Sequence, residues 1–146
     1  LPSLPSAAYG LFDRKDGKVV IDLGGDDRGA LALGRFVPKL LEENDYEMLF
    51  VINCYRPLTR DAESTLEVMR EIEEACKCKF TAIVNNSNLG NETTEDDVLK
   101  SLEYAEKVSR LTGLPIKCTY AYGKIYDSIK LKIPNAFSLD LQSKIN

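Results

Sequence analysis

The chain contains no histidine, and with it goes the commonest general base and metal ligand of neutral-pH chemistry. Ser-His and Cys-His hydrolases are therefore excluded within this sequence, and any reaction would have to run on carboxylates, Lys, Tyr or a bound metal. No apolar run approaches the ~20 residues that a membrane-spanning helix needs, so no membrane span is expected. Positive charge is also scarce: 19 Lys and Arg stand against 23 Asp and Glu, a net charge of −4. Lys124, Lys130 and Lys132 are too scattered to form a basic track, which argues against nucleic acid as a partner of this chain. The opening LPSLPSAAYG has neither the basic nor the apolar region of a secretory leader. Its first residue, Leu1, leaves a processed product, an expressed fragment and the remainder of a longer chain all open. Finally, no Gly-rich loop ending in Lys is present, and the only Gly-Lys pairs are Gly17-Lys18 and Gly123-Lys124.

What the sequence does contain is a repeating order of apolar runs and helical patterns. At 146 residues, with 44% apolar and 29% charged positions, the chain fits one α/β domain spanning 1–146. Near-continuous runs at Val19–Leu23, Met48–Cys54, Phe80–Val84 and Pro115–Cys118 suit strands covered on both faces. Helical spacing is expected from Arg28 to Glu43, through Leu33, Phe36, Val37, Leu40 and Leu41. It returns from Arg60 to Lys77, through Ala62, Leu66, Met69, Ile72 and Cys76. A third helix opens with the capping-box pair Thr94 and Asp97, buries Val98, Leu102, Ala105 and Val108, and stops at Gly113 and Pro115. Beyond Tyr120 the pattern offers one short helix and a terminal strand near Phe137–Leu141. Strand and helix in alternation imply right-handed crossovers and a mostly parallel sheet with helices on both faces, its strand carboxyl ends along one edge.

The four cysteines follow this frame. Cys54 and Cys118 fall in strand candidates, and Cys76 and Cys78 make only a C-x-C pair without the further ligands of a zinc site. Buried, reduced thiols in a cytoplasmic protein are the expectation.

Polar residues gather where the strands end. Asp22 is followed by Gly24, Gly25, Asp26 and Asp27; then come Asn53 and Arg56; then Asn85, Asn86, Ser87 and Asn88; then Thr119, Tyr120 and Tyr122. Ligands of open α/β sheets bind outside the carboxyl ends, although Gly, Asn and Asp also favour turns for their own reasons. The tyrosines at 120, 122 and 126, with Lys124, suit either a base-stacking wall or packing of the tail on the sheet.

The ordered series VVIDLGGDD, FVINCYRP and AIVNNSNLGNET resembles the ParA/MinD-type P-loop ATPases, the deviant Walker A group, over roughly Lys18 to Tyr120. The resemblance implies a P-loop NTPase-like domain, incomplete at its N-terminus, that binds ATP with magnesium. In it Asp22 would be the Walker B carboxylate on the metal side, and Gly24 or Gly25 would sense the γ-phosphate. Asn85, or Asn86 as the alternate, would read the purine edge, since an amide donates and accepts at once. The equal reading for Asn85 is a strand-end side chain bonding the next backbone amide. The departure is the missing phosphate loop, so this chain alone is expected to be inactive and to hold no nucleotide tightly. Self-association, or an upstream fragment of the same protein, would then fill the gap in the sheet.

Two other functions fit the same residues. One is a stand-alone, non-hydrolytic binding or scaffold module holding a metal or anion at the GGDD loop, with Asp22, Asp26 and Asp27 as oxygen ligands to magnesium, although adjacent carboxylates at a helix start also suit its dipole. The other, ranked below it, is a flavodoxin- or response-regulator-like enzyme, which the Asn and Arg residues after the second and third strands disfavour. If an upstream phosphate loop completes the site, Asp22→Asn is expected to lower turnover far more than fold stability. Equal losses in a hydrolysis assay and a thermal melt would make Asp22 structural.

Overall fold

The structure, a computed structural model, describes residues 6–24 and 27–141. Its backbone divides into two units, Leu1–Tyr46 with Arg70–Lys79, and Glu47–Met69 with Phe80–Asn146.

The second unit holds an all-parallel, four-stranded sheet in the order β1 (Leu49–Ile52), β2 (Ala82–Asn85), β3 (Ile116–Tyr122) and β4 (Ala136–Leu139). This is the α/β class expected from the alternation of strand and helix. Each connection carries a helix: α4 (Ala62–Cys76), α5 (Glu95–Thr112) and α6 (Gly123–Ile129). Because every step moves the same way across the sheet, right-handed crossovers place all three helices on one face. Phe50, Ile52, Ile83, Asn85, Thr119 and Ala121 share that face by register. Helix coverage is thus met on one face by these elements. On the other, Val51 and Phe137 remain 57% and 59% exposed.

The pairing of β2 with β3 contains one irregularity. Ile83 faces Ile116 but Val84 faces Cys118, so Lys117 is an extra residue in β3. Lys117 pairs with Glu47 at the start of β1. Under the helices, Val98, Ala121, Ile125, Ile129 and Ile133 form a buried cluster, with Leu102, Tyr126 and Ala136 packed against it. Burial of five such side chains is the main stabilising contribution of this end of the sheet.

Helix α5 is bounded as its residues dictate. The Thr94 hydroxyl accepts the Asp97 N–H at 3.2 Å and the Asp97 carboxylate accepts the Thr94 N–H at 2.8 Å, a complete capping box. At the other end Gly113 takes φ 74°, which costs glycine little, and its N–H caps the Ser109 carbonyl. Helix α4 is capped by Asp61, whose carboxylate accepts the Ser64 N–H at 2.8 Å.

The first unit contains α1 (Ser6–Leu11), α2 (Asp27–Gly34) and α3 (Val37–Glu43). The single helix expected from Arg28 to Glu43 is divided at Arg35–Phe36. Pro38 explains the break, since it lacks an N–H and its ring crowds the carbonyl of Gly34 four residues back. Leu33, Phe36 and Val37 are buried as expected, and Leu41 is exposed. Phe36 stacks on Phe12 with ring centroids 4.2 Å apart, and α2 meets the last turn of α4 where Gly34 lies against Ala75 and Cys76.

The largest correction concerns Val19–Leu23. Expected as the first strand, these residues form no strand, and Val20 is 94% exposed. A β-branched run supplies propensity only, and a strand exists through a neighbour that takes its backbone bonds. The terminal elements fare the other way: the weakly patterned tail does form α6 and a strand, β4, two residues shorter at its end than Phe137–Leu141.

Thr94→Ala should lower stability by about 1 kcal/mol in urea unfolding, the ordinary cost of a lost cap. Hydrogen bonds from the N–H groups of Thr94 and Ser64 hold the Asp97 and Asp61 carboxyls below their usual range. Their stabilisation is therefore complete at neutral pH and lost as pH falls below about 4, through those depressed values. Unfolding curves at stepped pH check this, and a loss that starts above about pH 6 would have another origin.

Candidate functional site

The carboxyl edge of the sheet is where the polar loops come together. The loop leaving β1 is built on Asn53. Its side-chain oxygen accepts the N–H of Tyr55 at 2.9 Å and of Asn88 at 3.3 Å, and its amide nitrogen donates to the Asn88 carbonyl at 3.3 Å. The Asn53 carbonyl accepts the Thr59 hydroxyl at 2.7 Å. Asn53 therefore fastens the first loop to the second with both ends of its amide.

The loop leaving β2 is equally tied down. Asn88 donates its side-chain N–H groups to the carbonyl and side-chain oxygen of Asn86, at 2.9 and 3.2 Å, and accepts the Gly90 N–H at 3.0 Å. Thr93 is buried, donating to the Gly90 carbonyl and accepting the Leu89 N–H. The NNSNLGNETT segment is thus an ordered loop with its own turn, Gly90–Glu92.

Beneath these loops runs a chain of hydrogen bonds with one direction. The Cys54 N–H donates to the Ser87 hydroxyl at 3.0 Å, and Ser87 donates to the Asn85 oxygen at 2.7 Å. The Asn85 nitrogen donates to the Ser101 hydroxyl at 3.0 Å, and Ser101 donates to the Val98 carbonyl at 2.6 Å. Asn85, Ser87 and Ser101 are all but fully buried. Asn85 also accepts the Ser87 N–H at 3.3 Å, which is the strand-end bond of the two roles open to it. Asn86 differs: its N–H binds the Ile52 carbonyl at 2.9 Å and its side chain is half-buried.

A shallow crevice, open to solvent and with room for about one water molecule (about 10 Å³), lies at this edge, lined by Asn86, Asn88, Thr93, Tyr120, Tyr122 and Leu139 among others. Tyr120 meets Phe137 edge to face at 5.5 Å between centroids, and Tyr122 donates to the Asn91 carbonyl. Both tyrosines are therefore held in place beside the amides. Among the described residues, no carboxylate, lysine or arginine lines the crevice. Two other tyrosines are pushed up to about 12, chiefly by burial: Tyr55, whose hydroxyl donates to the Asp97 carbonyl, and Tyr104, paired with Thr65 at 2.7 Å.

The other expected site residues belong to the first unit. Asp22 and Gly24 are exposed in a segment without regular structure, and Gly25 and Asp26 lie outside the described residues. The Gly24 carbonyl would sit 2.7 Å from a Cβ at Gly29, so the chain turns back on itself there only because Gly29 has no side chain. Among the described residues no group of three or more Cys, Asp or Glu is placed to hold a metal. Cys54, Cys76, Cys78 and Cys118 are free thiols, with Cys76 and Cys78 buried.

Ser101 is the member of this edge that sequence reasoning passed over. The available signal was Ser101 itself, a hydroxyl set among Val98, Leu102 and Ala105 on the buried stripe of α5.

Asn85→Ala would leave the buried Ser87 hydroxyl without its acceptor and the Ser101 oxygen without its donor, and is expected to cost roughly 2–3 kcal/mol in urea unfolding. Asn86→Ala should cost less than about 1 kcal/mol. Similar losses at both positions would remove the distinction between a structural and an available amide.

Comparison of the chain with protein-family models, with curated proteins and with solved structures finds no match.

Proposed function

We propose that this chain is the base-binding portion of an ATP-binding, ParA/MinD-like domain, and that the base lies on the surface over the shallow crevice at the carboxyl edge of the sheet. The observation that carries the reading is the position of Asn86. It is half-buried at the end of β2, lines the crevice opposite Tyr120 and Tyr122, and keeps its amide nitrogen outside the internal bonds that engage Asn53, Asn85 and Asn88. An amide donor beside aromatic rings suits a planar, nitrogen-rich heterocycle. Asn86, the alternate from the sequence, therefore takes the role in preference to Asn85.

The phosphates and magnesium fit less well. Asp22 and Gly24 are not at a strand end, and no metal-ligand group is assembled among the described residues. Hydrolysis in this reading waits on a phosphate-holding loop that this sequence does not contain, and the chain by itself is not an ATPase. Four free thiols are consistent with a reducing, cytoplasmic setting.

Ligand-observed NMR titration with adenosine, ATP and ATP–magnesium tests the reading. Adenosine and ATP should bind with affinities within about threefold of each other, because no group in the crevice grips phosphate. Asn86→Ala should weaken both by about five- to tenfold, the loss of one hydrogen bond. Absence of adenosine binding, or a magnesium-dependent preference for ATP of a hundredfold or so, would overturn it.

A further inference from the structure

The turn that ends α4 holds two thiols. Cys76 is the last residue of the helix and Cys78 follows two positions on, both buried and both free. The Cys76 thiol donates to the Cys78 carbonyl at 3.5 Å, so its sulfur lies over the turn, and a charge on Cys78 is felt there. The Tyr46 hydroxyl reaches the Cys78 sulfur and donates to it. Beyond the pair, Lys79 returns to Glu73 at 2.8 Å and closes the turn with an ion pair. All five residues belong to the first unit.

Lys77 sets the spacing of the two cysteines. Its φ is 58°, a left-handed conformation that a residue with a Cβ seldom adopts. A left-handed residue spaces its neighbours' Cα atoms as a helical turn does, about 5.4 Å apart, within the roughly 4.4–6.8 Å that a disulfide spans. An extended residue would set them about 6.6 Å apart, at the limit of that range. The Lys77 N–H also caps the Glu73 carbonyl at 2.9 Å, at a helix end where Gly or Asn is usual. The backbone that stops α4 is therefore the backbone that puts two cysteines at bridging distance.

We propose that Cys76 and Cys78 are a modification site, a dithiol that hydrogen peroxide closes to a disulfide. The Cys78 thiolate, to which Tyr46 donates, attacks one peroxide oxygen. The O–O bond breaks, the departing hydroxide takes up a proton as water, and Cys78 is left as a sulfenic acid. The Cys76 sulfur then loses its proton and attacks the Cys78 sulfur, the S–O bond breaks, and a second water leaves. Two thiols are oxidised by two electrons and the peroxide is reduced to two waters. Burial pushes the Cys76 thiol up, which suits the sulfur that acts second. Burial of both sulfurs also selects an oxidant little larger than water over bulky disulfides. In a reducing setting such a bond is transient and responds to oxidant.

Peptide mapping of the full chain after hydrogen peroxide treatment tests this, with remaining thiols alkylated in denaturant. Trypsin cuts after Arg70, Lys77 and Lys79, so the bond joins Glu71–Lys77 to Cys78–Lys79, and dithiothreitol should separate them. Cys54 and Cys118 should stay open to alkylation. Cys76→Ala should leave Cys78 as a sulfenic acid that dimedone captures, and Cys78→Ala should leave Cys76 unmodified at the same dose. Lys77 is exposed, so its variants disturb no packed core. Lys77→Val resists the left-handed turn and should close at least about fivefold more slowly, while Lys77→Gly should close as fast as wild type. Cys76 and Cys78 both remaining open to alkylation in the treated chain would overturn the proposal. So would a bond from either to Cys54, Cys118 or another chain, closure that needs urea, or a Lys77→Val variant that closes as fast as wild type.

Discussion

The sheet's carboxyl edge depends on one buried amide. Asn85 stands at the last position of β2, in the middle of the sheet, where it joins a loop on one side to a helix on the other. Strand order alone would leave the loops after β1 and β2 free to move apart. The relay from Cys54 through Ser87, Asn85 and Ser101 to Val98 fixes the β1 loop, the β2 end and the first turn of α5 as one object. Each group in it is a donor to the next, so the bonds polarise one another, and each is buried enough that losing a partner would be costly. No buried side-chain nitrogen or oxygen among the described residues lacks a partner, which is the condition for such a network to specify a single arrangement.

Around this relay the edge is made almost wholly of amides and hydroxyls. Asn53, Asn86, Asn88, Thr59 and Thr93 hold the loops by hydrogen bonds that do not depend on protonation. Charged groups stand outside the crevice, in exposed pairs such as Lys107 with Glu63 that add little to stability. The crevice therefore has a rim of amides and hydroxyls around an apolar lining of Val98, Ala121, Leu139 and Leu141.

How far the sequence could be read differs from element to element. Helix α5 was legible to the residue, because Thr94, Asp97 and Gly113 act through bonds to their own neighbours. Strands β1 and β2 were legible because short apolar runs between helices leave few alternatives, but β3 was read only in part: it runs four residues beyond Pro115–Cys118 to Tyr122, so Thr119, Tyr120 and Tyr122 belong to the strand and not to a loop after it. Val19–Leu23 was not, since its composition is that of a strand but pairing is a property of two segments. The division of α2 from α3 was written in Pro38, whose effect outweighed a continuous apolar stripe. At the edge, the sequence identified the asparagines but could not rank them. Which amide is engaged and which is available is decided by Ser87 and Ser101, and the Asn85 to Ser101 bond spans 16 positions.

The extra residue in β3 has a wider effect than its own kink. A strand alternates sides with every residue, so one insertion reverses the phase of all that follows. Ile116, before Lys117, lies on the helix-covered side with Ile83, while Cys118, two residues on, lies on the other with Val84. Past that point Thr119 and Ala121 enter the covered side and Tyr120 is turned away from it, while Tyr122, at the strand's end, packs against the buried cluster. In a strand of unbroken alternation, small residues would face outward and the Tyr120 ring would have to fit beside Asn85. Lys117 thus works as a frameshift in the sheet, keeping the space over β3 small where α5 lies and delivering the Tyr120 ring to the opposite side.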